Sequence, residues 1–143
     1  MRGAHYIKSW ASTQKNITLS SGEAELVAAV KASTELIGVI QLAAEWGRRI
    51  GGAVYVDSSA ALGVVHRRGN GKMRHVKVGQ LWIQEQAEEG SLAYRKVRGD
   101  TNPSDMLTKY VSRPLLERHT AAVGFAPREG RAELGLQLGA LFA

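Results

Sequence analysis

The 143-residue chain contains no cysteine, which excludes disulfides, thiolate metal sites and a cysteine nucleophile, and with them the disulfide-rich secreted scaffolds. Aromatic residues make up only 6% of it, proline occurs three times, and no aspartate precedes Asp57. The opening "MRGAHYIKSW" has no apolar run of signal-peptide length, and no later segment approaches the roughly 20 apolar residues needed to span a bilayer. A soluble intracellular protein with no membrane partner is expected, without a distinction between cytoplasm and nucleus. The four histidines are scattered and show no zinc spacing. "GNGK" is not a phosphate-binding loop, since His66 stands where the earlier glycine belongs and Met73 where a serine or threonine is required. "RGD" at Arg98 to Asp100 is a three-letter match without weight.

What is present is a globular composition, 44% hydrophobic and 22% charged, in a chain about one domain long. A net charge of +6 and a pI near 9.9 favour a polyanionic partner. The charge is concentrated between His66 and Lys77, where "HRRGNGKMRHVK" gathers Arg67, Arg68, Lys72, Arg74 and Lys77, with His66 and His75 adding charge at lower pH.

The alternation in "YIKSWAS" and "KNITLS" predicts a hairpin turning at "TQKN". Ser20 followed by Glu23 fits a capping box and starts a long amphipathic helix, whose apolar residues from Leu26 to Trp46 recur at three-and-four spacing before Gly47 stops it. "GGAVYVDSSAALGVV" reads as a strand closed by Asp57, a turn and a short helix. "RRGNGK" is a loop, "MRHVKVGQLWIQEQAEEG" a helix ending at Gly90, and "SLAYRKV" a strand. "RGDTNPSDMLTKY" predicts a turn, with Asn102 as cap and Pro103 in the first turn of a last helix. The alternation predicts an α/β domain, a mixed sheet covered by helices, over residues 1–123, with a tail over 124–143 to which no role is assigned.

Most acidic residues have an ordinary explanation. Glu23 serves the cap. Glu25 has Ala28 and Ala29 at plus three and plus four, so it has no partner of opposite charge there and reads by spacing as a solvated carboxylate. Asp57 ends a strand where α/β sheets place ligand-binding groups, or else it caps the next helix. Asp105 stands in a first helical turn, where any acid is favoured by the helix dipole. Brought together, three such acids would make an all-oxygen site for a hard cation such as magnesium.

In order along the chain, "SWASTQKNITLSSGEAELVAA", "VYVDSSAAL", "KMRHVKVGQLWIQE" and "DTNPSDMLTK" resemble the ribonuclease H domain at the end of copia-type retrotransposon polyproteins, from about Lys8 to Leu116. The resemblance implies a ribonuclease H-like fold and hydrolysis of the RNA strand of an RNA–DNA hybrid, with Mg2+ as cofactor and Mn2+ as its substitute. It implies catalytic, metal-holding roles for Glu25, Asp57 and Asp105, and a nucleic-acid-facing basic segment comprising Arg67, Arg68, Lys72, Arg74 and His75. His75 alone reads equally well as a solvated helix terminus.

The family uses four carboxylates, the first on a strand upstream of "SW". The chain is accordingly expected to be truncated at its N-terminus, as a fragment or a decayed copy, and to adjoin the reverse transcriptase region of the same polyprotein. The alternative expectation is a catalytically dead nucleic-acid-binding or scaffold remnant.

Overall fold

A computed structural model describes residues 6–14, 17–69, 71 and 78–126. The long helix α1 runs Ser21–Glu45. At its start the Ser20 side chain accepts from the Glu23 backbone N–H at 3.2 Å, as expected. Glu23 reaches back one residue further than in a standard capping box, accepting from the Leu19 N–H at 2.9 Å. At the other end Arg48 N–H bonds to the Ala43 carbonyl at 2.8 Å and Gly47 N–H to that of Ala44 at 2.9 Å, with Gly47 at φ +68°. This is a Schellman stop, and it needs glycine at that position. Ser20→Ala should therefore lower the unfolding free energy by about 1 kcal/mol in a denaturant titration; an unchanged midpoint would show that the cap contributes nothing.

Strand β1 (Ala53–Val56) and strand β2 (Ala93–Lys96) pair in parallel, with Val54 opposite Tyr94 and Val56 opposite Lys96. A parallel pair requires a crossover. Here it contains α2 (Ser59–Val65), a short 3-10 turn (Val78–Gln80) and α3 (Trp82–Glu88). Alternation along β1 buries Val54 and Val56 against Leu26 and Ala29 of α1, Ala61, Val64 and Val65 of α2, and Ile83 of α3. Gly52, just before β1, is squeezed by Leu36, Ile40 and Leu92 side chains, two of them 2.8 Å from where a Cβ would stand. In the same core Ser33 and Tyr94 share a buried hydroxyl contact of 3.0 Å. Burial pushes the Tyr94 phenol pKa up, and the Ser33 contact partly offsets this.

The described residues of Ala11–Asn102 form one compact unit, and residues 6–10 and 103–126 belong to a second. In the second, the 3-10 helix Pro103–Leu107 and α4 (Arg113–Ala122) pack together, and the rings of Tyr6 and Phe125 meet at 4.9 Å.

Several expectations are corrected. No strand forms among residues 6–14 and 17–20, so the hairpin is absent there. Strand-like alternation is not enough without a ladder partner. Instead Gln14 donates to the Ala24 carbonyl at 2.8 Å and Lys31 to Ser12 Oγ at 2.9 Å, pinning the segment to α1 through side chains. The sheet among the described residues is two-stranded and parallel rather than mixed. The helix predicted from Asn102 is a five-residue 3-10 turn, and the α-helix begins only after Ser112, with Pro114 in its first turn. α1, with a mean hydropathy of 1.5 over 18 residues, is long and apolar enough to cross a bilayer by length and composition, contrary to the expectation that no segment approaches this. A core helix passes the same test, and Leu26 and Ala29 of α1 lie in the core.

Candidate functional site

The carboxyl end of a strand in an open α/β sheet is where ligand groups collect, because backbone and following loop are both exposed there. Asp57 occupies that place after β1 and is half-buried. It does not cap α2: the Ser58 hydroxyl does, accepting from the Ala61 N–H at 3.2 Å. The Asp57 carboxylate instead accepts from Asn102 Nδ2 at 3.3 Å. Lys96, at the end of β2, donates to the Asp57 backbone carbonyl and to Ser59 Oγ, the latter at 2.7 Å. Two neighbouring strand ends are thus tied by one ammonium, with the aspartate side chain directed by an amide 45 residues away.

Glu25 lies on α1, half-buried, next to the fully buried Leu26, in the same unit as Asp57. Asp105 belongs to the other unit. It sits in the 3-10 helix Pro103–Leu107 with its side chain 19% exposed and paired at 2.9 Å with Lys109, four residues on. Among the described residues no group of three or more His, Cys, Asp or Glu side chains is placed to hold a metal ion.

The basic segment resolves into individual contacts. Arg67 is half-buried and folds back on its own loop, its guanidinium standing where a Cβ on Gly71 would be. Gly71 is at φ +56°, a backbone conformation that favours glycine there. Arg68 is exposed and pairs with Glu88 of α3, which raises its pKa above the ordinary guanidinium value, chiefly through the hydrogen bond. Lys72, Arg74, His75 and Lys77 lie outside the described residues, as does most of the 124–143 tail.

Three contributors escaped the sequence reading. Asn102 was expected to cap a helix; it ends the short 3-10 turn Gly99–Thr101 and directs Asp57. Lys96 and Gln84 had no local signal, since each acts across the fold. Gln84 donates from Nε2 to the carbonyls of Val64 (2.8 Å) and Gly69 (3.0 Å) and accepts at Oε1 from the Gly69 N–H (3.0 Å).

The chain is 34% identical over 119 residues to the retrovirus-related Pol polyprotein from transposon TNT 1-94 of Nicotiana tabacum, a match covering 81% of the chain and 9% of that polyprotein. Its homologues are transposon Pol polyproteins. The Pol polyproteins of transposons RE1 and RE2 of Arabidopsis thaliana are each 29% identical over 128 residues, covering 84% of the chain and 8% of the polyprotein. The chain therefore spans less than a tenth of the length of these Pol relatives. No protein-family model matches it, and no solved structure does.

Proposed function

We propose that the chain is the ribonuclease H-type part of a retrotransposon Pol polyprotein, hydrolysing the RNA strand of an RNA–DNA hybrid with Glu25, Asp57 and Asp105 as its carboxylates. Asp57 carries this reading: it is a half-buried carboxylate at the end of a parallel strand, relieved of helix capping by Ser58 and directed by Asn102. The similarity to Pol polyproteins and the ordered motifs support it.

The donor set is all oxygen, which suits magnesium or manganese. The described residues do not by themselves gather three such groups, so the chain's carboxylates fit the ion in chemistry and not yet in assembly. When bound, the ion supplies the positive charge that stabilises attacking and leaving oxygens at phosphorus. The chain's own residues have simpler tasks. Asn102 and Lys96 fix the strand end that presents Asp57. The arginine loop holds backbone phosphates, each contact adding to the salt dependence, and RNA is told from DNA by its 2′-hydroxyls. This reading implies action inside the cell, beside the reverse transcriptase region of the same polyprotein. The chain, assayed together with the reverse transcriptase region of the polyprotein, is expected to cut the RNA of a labelled hybrid in magnesium or manganese. Hybrids left intact by that chain in both ions would refute the enzymatic reading.

The basic segment from His66 to Lys77 motivates a second reading, a nucleic-acid-binding or scaffold remnant without catalysis. In that case hybrid binding survives Asp57→Asn and weakens roughly tenfold or more when Arg67, Arg68 and Lys72 all become alanine, three phosphate contacts being lost. Unchanged affinity in the triple variant rules it out.

A further inference from the structure

The loop after α2 and one face of α3 enclose a cleft of about 260 Å³, lined by His66, Arg67 and Arg68 on one side and by Gln84, Ala87 and Glu88 on the other. The α3 residues are spaced three and four apart, so they share one side of the helix. Two of them act on the loop in different ways. Gln84 grips its backbone with three hydrogen bonds, two to Gly69 and one to Val64. Glu88, one turn on, takes the guanidinium of Arg68, the residue next to Gly69. The backbone that carries Arg68 is therefore fixed by the same helix that supplies its counter-charge.

That counter-charge is held weakly. The Arg68 and Glu88 side chains are 85% and 58% exposed, and an exposed ion pair adds little to stability because water and salt screen it. Glu88 meets Arg68 through one guanidinium nitrogen, on a side chain whose donor fork also suits a phosphate.

We propose that Glu88 is an internal counter-anion: its carboxylate holds on Arg68 the place of a backbone phosphodiester and is exchanged for one when nucleic acid binds. This rests on the nucleic-acid reading of the arginine loop and deepens it. Glu88 lowers the affinity for any polyanion and keeps Arg68 extended toward the cleft in the meantime. Gln84 is the positioning residue, since without its grip on Gly69 the guanidinium is no longer aimed at the cleft.

The test is hybrid binding by the chain itself, measured by fluorescence anisotropy with a short labelled RNA–DNA duplex over a range of salt. Glu88→Gln removes the charge and keeps the shape. It is expected to tighten binding roughly three- to tenfold at low salt and to steepen the salt dependence by about one phosphate contact. Glu85→Gln removes the same charge from α3 at an exposed position, while Arg68 pairs with Glu88, and should tighten binding clearly less. With Arg68→Ala in place, Glu88→Gln should add nothing beyond the Glu85→Gln effect. Equal gains from Glu85→Gln and Glu88→Gln, or a Glu88→Gln gain that persists without Arg68, would overturn the exchange and leave the nucleic-acid reading standing. No binding by wild type or any variant even at low salt would overturn both. Circular dichroism and melting of each variant confirm that the fold is retained, which the exposure of both partners leads one to expect.

Discussion

Asp57→Asn should abolish magnesium-dependent cleavage of an RNA–DNA hybrid by the chain assayed with its reverse transcriptase region, while leaving the protein folded. The substitution keeps the shape of the side chain and an oxygen able to accept from Asn102, and Ser58 rather than Asp57 caps α2. The cost to stability is therefore small, on the order of 1 kcal/mol for one partly exposed hydrogen bond. The cost to chemistry is large, because the amide no longer carries the charge a divalent ion requires. A fall of at least about a thousandfold, equivalent to roughly 4 kcal/mol of transition-state stabilisation, is expected in single-turnover cleavage. A variant that melts normally and still cuts within tenfold of wild type would remove Asp57 from the reaction.

Leu26→Ala should cost about 2–5 kcal/mol of folding free energy, the range for a large buried aliphatic replaced by alanine in a packed core. Leu26 is 0% exposed, in the cluster where α1, β1, α2, α3 and β2 converge. Removing the side chain loses its burial and adds a cavity contribution in this packed cluster. Leu42 lies on the same helix and is 45% exposed; Leu42→Ala should cost well under half as much, about 1 kcal/mol or less. Comparable shifts of the denaturation midpoint for the two variants would contradict the placement of the core. The position matters for function too, since Glu25 precedes Leu26 directly and the burial of one sets the orientation of the other along α1.

Where structure depends on neighbours in the chain, the sequence was informative. Ser20 with Glu23, the apolar spacing after Leu26, and Gly47 predicted both ends of α1 to within two residues, because caps and helix faces are local physics. β1 ending at Asp57 and β2 within "SLAYRKV" were legible for the same reason. Whether Asp57 caps α2 was left open by the sequence: aspartate and serine both cap well, and the fold gives the role to Ser58.

What could not be read is what joins distant residues. The Asn102 bond to Asp57, the Lys96 tie between strand ends, and the grip of Gln84 and Glu88 on the arginine loop span 15 to 45 residues. None leaves a periodicity or a spacing. The N-terminal alternation misled because a strand is defined by its partner, and Ser12 and Gln14 find theirs on α1 through side chains. The acid set is intermediate: its members are named by resemblance, and Asp57 alone has a described environment that singles it out from a capping residue.

The central proposal is that Glu25, Asp57 and Asp105 are the carboxylates through which the chain takes up magnesium. It is tested most directly by titrating the isotope-labelled chain with magnesium and following the carboxylate and amide resonances of all three residues. One binding curve shared by the three, and lost together in Asp57→Asn, is the predicted result. Resonances that stay still, or that move independently at Asp105 and at Glu25 with Asp57, would contradict it.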